Sequence, residues 1–188
     1  MLLTSSNLSN QLLIAMPAMD DPNFARTVTL ICEHNDDGCF GVTINRPIEI
    51  TVGDLFQQLD IDSIEQSLLD ATAVNGGPVQ SSQGFVLHDT SRTWEGSLQI
   101  NSDLSVTSSR DILDAIAVGD GPDNFLLALG CASWSPGQVE EELKQNAWLT
   151  CPVDHTILFD TPYAERWTSA ANTLGIDVNL MSDSVGHA

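Results

Sequence analysis

Two runs rich in β-formers face each other across a tight turn, and this pairing narrows the possible folds more than any other feature. Arg26 to Glu33 is dense in Val, Thr, Leu and Ile and reads as a buried strand. Asn35-Asp36-Asp37-Gly38 supplies turn chemistry, with a glycine available for positive φ. Cys39 to Asn45 returns as the partner strand and Arg46-Pro47 ends it. Such a hairpin builds an antiparallel pair and, with further strands and helices at irregular intervals, argues against a regular βαβ repeat.

The remaining elements follow the same mixed pattern. Gln11 to Met16 is a short apolar run ended by Pro17, and Asp20-Asp21-Pro22-Asn23 is a loop. Thr51 to Leu59 reads as a helix capped by Thr51, with Val52, Leu55, Phe56 and Leu59 at helical spacing. Ala71 to Asn75 is a strand running into the Gly76-Gly77-Pro78 turn. Gly84 to His88 and Ser97 to Asn101 are further strands, and Ser109 opens a helix through Ala117. Asn124 to Cys131 is continuously apolar and reads as a central strand buried on both faces. Ser135, Pro136 and Gln138 suit a capping box opening a helix to about Asn146, with Val139 and Leu143 inward. His155 to Phe159 reads as a strand. Thr161-Pro162 starts a last helix with Tyr163, Trp167, Ala170 and Leu174 on one stripe, closed by Gly175. The expected architecture is α+β: one domain spanning residues 1–188, a mixed sheet with packed helices, and frayed ends at about 1–9 and 182–188.

Charge limits the partners. Against 26 acidic residues stand 6 basic ones, a net −20. The basic residues are scattered at Arg26, Arg46, Arg92, Arg110, Lys144 and Arg166, so no basic stripe forms along the chain. Nucleic-acid affinity rests on clustered Lys and Arg, and direct nucleic-acid binding is therefore disfavoured. The acidity suits a solvated surface. No apolar run is long enough for a membrane span, and Met1 to Asn10 lacks the features of a signal peptide, so a cytoplasmic location is expected. Cys32, Cys39, Cys131 and Cys151 show no zinc or redox spacing and read as reduced, buried thiols.

Three stretches together resemble the YqgE/AlgH family of bacterial proteins. The first is Leu13-Ile14-Ala15-Met16-Pro17-Ala18-Met19-Asp20-Asp21-Pro22-Asn23-Phe24-Ala25-Arg26, with Ile31-Cys32-Glu33-His34-Asn35 and Gly41-Val42-Thr43-Ile44-Asn45-Arg46-Pro47 after it. The second is Asn75-Gly76-Gly77-Pro78-Val79 with Gly84-Phe85-Val86-Leu87-His88. The third runs from Gly130-Cys131-Ala132-Ser133-Trp134-Ser135-Pro136-Gly137-Gln138 to Asn146-Ala147-Trp148-Leu149. The chain departs from the family pattern at Ser133 and Ser135, where glycine is usual. The resemblance implies an α+β fold with a bent or bifurcated mixed sheet surrounded by helices. It implies no established enzyme activity and no cofactor, and the AlgH name implies a regulatory role in transcription.

Chemistry, if any, must come from polar residues at strand ends and joints. Glu33 and His34 could act as acid and base, but neighbours on a strand point to opposite faces unless the strand ends or bulges there. Asn35 lies beside them. Arg26 and Arg46 are scarce cations, Arg46 between Asn45 and Pro47, and read either as partners of a carboxylate such as Asp20 or Asp21 or as an anion-binding fork. Trp134 and Gln138 flank a strand-to-helix joint that reads either as a packed joint or as a pocket. His34, His88 and His155 have no metal-motif spacing, and no metal site is expected. Two readings follow: a non-catalytic regulatory or interaction protein with a protein or small-molecule partner, or a small hydrolase or ligand-processing enzyme using His34, Glu33 and Arg46. Both expect Arg26, Glu33, His34, Asn35, Asn45, Arg46, Trp134 and Gln138 to gather on one surface.

Overall fold

In the computed structural model, which describes residues 7–64 and 66–182, the central strand forks the sheet. The strands are β1 (Gln11–Ala15), β2 (Val28–Asn35), β3 (Gly38–Thr43), β4 (Pro47–Thr51), β5 (Thr72–Asn75), β6 (Val79–Asp89), β7 (Leu98–Gln99), β8 (Leu104–Thr107), β9 (Phe125–Trp134) and β10 (Trp148–Pro152). Helices α1 (Val52–Gln58), α2 (Gln66–Leu69), α3 (Arg110–Ala117), α4 (Gln138–Lys144), α5 (Arg166–Asn172) and α6 (Val178–Ser182) lie around them.

One branch runs β10-β1-β2-β3 and meets the far end of β9, where Phe40 pairs with Ser133. The other carries β6, β8 and β7 along the near end of β9, with β5 parallel to β9 on its opposite side. The fork sits at Gly130, whose φ of 76° only glycine adopts freely. There the Gly76 N–H donates to Leu129 O and the Gly76 carbonyl accepts from Thr43 N–H, both at 2.8 Å, tying the two branches together.

Because side chains alternate along a strand, both faces of the sheet are buried. Leu12, Ile14, Leu30 and Ala128 join a core under α5; Leu13, Ala15, Ile31 and Trp134 join one under α4; Val86 and Leu127 join one under α1 and α3. Arg166 is buried within this framework, its guanidinium donating to Ile44 O and Thr161 O and lying over the Tyr163 ring. Thr51 caps α1 through the reciprocal box with Asp54.

Several expectations need correction. The His155–Phe159 segment is not a strand but a wide helical turn over Thr156–Asp160, because Asp154 caps the N–H groups of Thr156 and Ile157. The Trp148–Pro152 segment, unassigned from sequence, is an edge strand antiparallel to β1. The last helix begins with a 3-10 turn, and Leu174 lies exposed beyond its end. Ser135 does not cap α4: β9 continues through Trp134 and the cap position falls to Gly137 at φ 78°. Only half of the box survives, in Gln138 Oε1 accepting from Ser135 N–H at 3.0 Å. Of the ends expected to fray, residues 1–6 and 183–188 lie outside the described residues. Leu8 is buried, and the Ser9 hydroxyl accepts from His34 N–H.

Candidate functional site

The β2–β3 hairpin tip decides which candidate residues meet. Ile31 pairs with Gly41 and Glu33 with Phe40, so Cys32 is the extra residue of a β-bulge. The bulge re-aims the strand end: Glu33 shares a face with Phe40, while His34 turns with Cys39 toward α4. Glu33 and His34 therefore point apart despite the bulge, one exposed and one buried.

A depression of about 300 Å³ lies on the His34 side, lined by Asn7, His34, Asn35, Asp36, Gly137 and Glu140. A second, of about 200 Å³, lies on the other side and takes in Glu33, Cys39, Phe40 and Trp134. Asn35 borders both. Its amide donates to the Glu33 carboxylate at 2.7 Å and its oxygen accepts from Asp37 N–H.

His34 Nδ1 receives the Leu8 N–H at 3.0 Å, and Nε2 lies 2.8 Å from Glu140 Oε1. A backbone amide can only donate, so Nδ1 holds the lone pair and Nε2 carries the proton toward the carboxylate. A histidine acting as general base needs a lone pair aimed at a substrate proton. Here that lone pair is taken up by the chain's own backbone. Thiols offer no nucleophile either. Among the described residues all four cysteines are free and buried, and burial with the nearby Glu140 charge pushes Cys39 up to about 12.

The other candidates form a separate cluster. Arg46 does not pair with a carboxylate by contact; its guanidinium donates to the carbonyls of Pro22 at 2.7 Å and Ala25 at 2.9 Å. Burial lowers its pKa, with Asp21 opposing. Asn45 accepts from Val28 N–H and donates to Arg26 O, and Arg26 lies 4.8 Å over the Trp167 ring. These three residues brace the loop before β2. The loop in turn places Phe24 against both Trp134 and Trp148, with ring centroids at 5.9 and 5.5 Å. Trp134 is packed core, 3% exposed, although it borders the second depression. Glu142, missed from the sequence, collects the indole N–H groups of Trp134 and Trp148 on one oxygen and Gln138 on the other. The i,i+4 spacing of Gln138 and Glu142, between two tryptophans, was the available signal. Among the described residues no group of three or more His, Cys, Asp or Glu could hold a metal, and no helix is long and apolar enough to cross a membrane.

His88 is likewise sealed in, with Nδ1 against Asp89 O, Nε2 against the Thr107 hydroxyl and Trp94 edge-on. Burial holds its pKa below the ordinary 6.5, with contacts to Asp89 opposing. As pH falls below that value the unfolded chain binds a proton that the folded chain refuses, so stability drops. The slope attributable to His88 reaches at most about 1.4 kcal/mol per pH unit. We expect the urea midpoint to fall between pH 7 and 5.5, and His88→Asn to flatten that fall. An unchanged slope in the variant would refute this assignment.

Comparison with known proteins agrees with this architecture. An AlgH-like family model matches residues 12–179. UPF0301 proteins from Xanthomonas campestris pv. campestris and Xanthomonas axonopodis pv. citri are 49% and 48% identical over 181 residues, covering 96% of this chain and of each relative. The solution structure of the AlgH protein from Pseudomonas aeruginosa is 44% identical and superposes with a TM-score of 0.80 over 98% of both chains. A Corynebacterium diphtheriae protein, 20% identical, shares the fold at a TM-score of 0.73 over 92% of this chain and 90% of its own. With the forked sheet, the hairpin and the glycine pair in place, the chain belongs to the AlgH-like family.

Proposed function

We propose that this protein is a non-catalytic interaction protein whose β2–β3 hairpin tip recognises a protein or small-molecule partner. The observation that carries the reading is His34: this histidine, beside a depression and a carboxylate, spends its lone pair on Leu8 N–H. The two depressions flanking an exposed Asp36-Asp37 tip give a partner a shaped, acidic surface.

Polyanions do not suit that surface. Arg92, Arg110 and Lys144 are ion-paired with Asp120, Asp114 and Glu141, Arg166 is buried, and Arg26 and Arg46 are used on the loop before β2. Regulation of the kind the AlgH name implies would then pass through a partner, not through direct contact with DNA. Four free, buried thiols fit a reducing compartment, and we expect the cytoplasm.

The test separates binding from chemistry. The immobilised chain should recover a specific partner at native expression level, and Asp36→Lys with Asp37→Lys should lose it at unchanged thermal stability. His34→Leu should cost about 1–3 kcal/mol of stability by stranding Leu8 N–H, with no change in turnover across a panel of ester and amide substrates. Absence of any specific partner, or a hydrolytic activity that disappears in His34→Leu folded at low temperature, would overturn the reading in favour of the hydrolase.

A further inference from the structure

An apolar cavity opens on the β6 side of the sheet, between α1 and α3. It arises from a register break. Val79 pairs with Cys131 and Gly84 with Leu129, so residues 80–83 of β6 form a bulge opposite Gly130. Leu129 is left half-buried there, Leu127 lies at the floor of the opening, and Gly84 has no side chain to cover them. A Cβ built on Gly84 would meet only Leu127 Cδ1, at 4.0 Å. Leu55 from α1 and Leu113 from α3 form the walls, enclosing about 310 Å³. That volume stands at the small end of ligand pockets, which are mostly apolar with a few polar groups fixing orientation.

The rim supplies those polar groups. Gln58, Gln83 and Ser108 border the opening, with the Gln83 amide donating to Gly84 O and Ser108 O at 3.1 and 3.3 Å. Arg110 also stands there, but its guanidinium donates to Leu59 O and lies 3.6 Å from Asp114, so its charge is already partnered. In a chain of net charge −20 the mouth therefore favours a neutral, hydrogen-bonding group over an anionic one.

We propose that this cavity binds a small amphiphile, an aliphatic segment seated on Gly84, Leu127 and Leu129 with a neutral hydrogen-bonding head at the Gln83–Ser108 rim. The site is separate from the hairpin-tip surface and stands or falls without it.

Titration of the isotopically labelled full chain with octanamide, followed by amide NMR, tests it. Saturable shifts should centre on Gly84, Ser108 and Leu113. Butyramide should bind at least tenfold more weakly, because each buried methylene contributes to the apolar transfer, and octanoate about fivefold more weakly. Gly84→Val adds a β-favoured side chain into open space, so it should keep the native melting temperature and lose octanamide binding at least tenfold. Leu113→Trp, filling the cavity from the other wall, should do the same. The proposal is overturned by no saturable shift, by shifts centred elsewhere, by octanoate binding more tightly than octanamide, or by undiminished binding in a folded Gly84→Val or Leu113→Trp.

Discussion

Gly77→Ala is expected to bring the protein close to unfolding at ordinary temperature. A Cβ at Gly77 would stand 2.2 Å from the carbonyl carbon and oxygen of Cys131 and 2.5 Å from Ala132 N, and all three are backbone atoms of the central strand. Its φ of 151° is also one that side-chain-bearing residues rarely adopt. Overpacking and backbone strain each cost about 1–3 kcal/mol, so together roughly 2–6 kcal/mol. Against a net stability of about 5–15 kcal/mol that is a large loss. For a chain of this size it corresponds to a fall in melting temperature of roughly 4–24 °C. Gly84→Ala, on the same strand system but facing open space, should change the melting temperature little. Circular dichroism melts of the two variants side by side decide the matter. Equal stability would show that β9 can move away from the glycine pair and that the fork is not fixed by this contact.

The glycine pair also shows what a sequence reading can and cannot reach. Gly76-Gly77-Pro78 is legible as a turn, because its residue types dictate local conformation. That it wedges between two branches of a sheet depends on Gly130, 54 and 53 residues away, and local chemistry carries no trace of that. The same division runs through the fold. The hairpin, the Thr51 cap and the apolar β9 run express local preferences and stand where expected. The Ile157-Leu158-Phe159 run does not, because three apolar residues suit a strand or a helical turn equally and Asp154 decides between them. Trp148–Pro152 pairs only with β1 and so needs a partner distant in sequence to become a strand.

For the candidate site, the sequence locates the hairpin tip, and Glu33, His34, Asn35 and Trp134 do come to it. Arg26, Asn45 and Arg46 stand out in the sequence because cations are scarce and their neighbours suggestive. Their hydrogen bonds go to the loop at Pro22–Arg26 instead. Scarcity marks such residues as having a fixed structural task, which these have, but it does not say which groups they hold. The residue that holds the tryptophan joint together, Glu142, looks in sequence like one more acid in an acidic helix.

Replacing Glu142 by alanine should be comparably damaging. Its Oε2 accepts from Trp134 Nε1 at 3.0 Å and from Trp148 Nε1 at 2.8 Å, and its Oε1 accepts from Gln138 Nε2 at 3.0 Å. Both indoles are about 3% exposed, so neither N–H can turn to bulk water without disturbing Phe24 and the surrounding core. Each stranded donor costs about 1–3 kcal/mol, giving roughly 2–6 kcal/mol for the pair. Glu142→Gln keeps one acceptor oxygen and should lose less, about 1–2 kcal/mol, because a neutral amide accepts more weakly than a carboxylate. Denaturant melts give the energies. Tryptophan fluorescence gives the location, since a loosened joint should red-shift the emission of Glu142→Ala before global unfolding. The order alanine worse than glutamine, with both worse than the native chain, is the signature of a carboxylate joining two rings. Were Glu142→Ala to fall within about 0.5 kcal/mol of the native protein, as surface substitutions usually do, the tryptophan pair would be held by ring packing alone. The loop that carries Phe24 would then need another explanation for its place beside them.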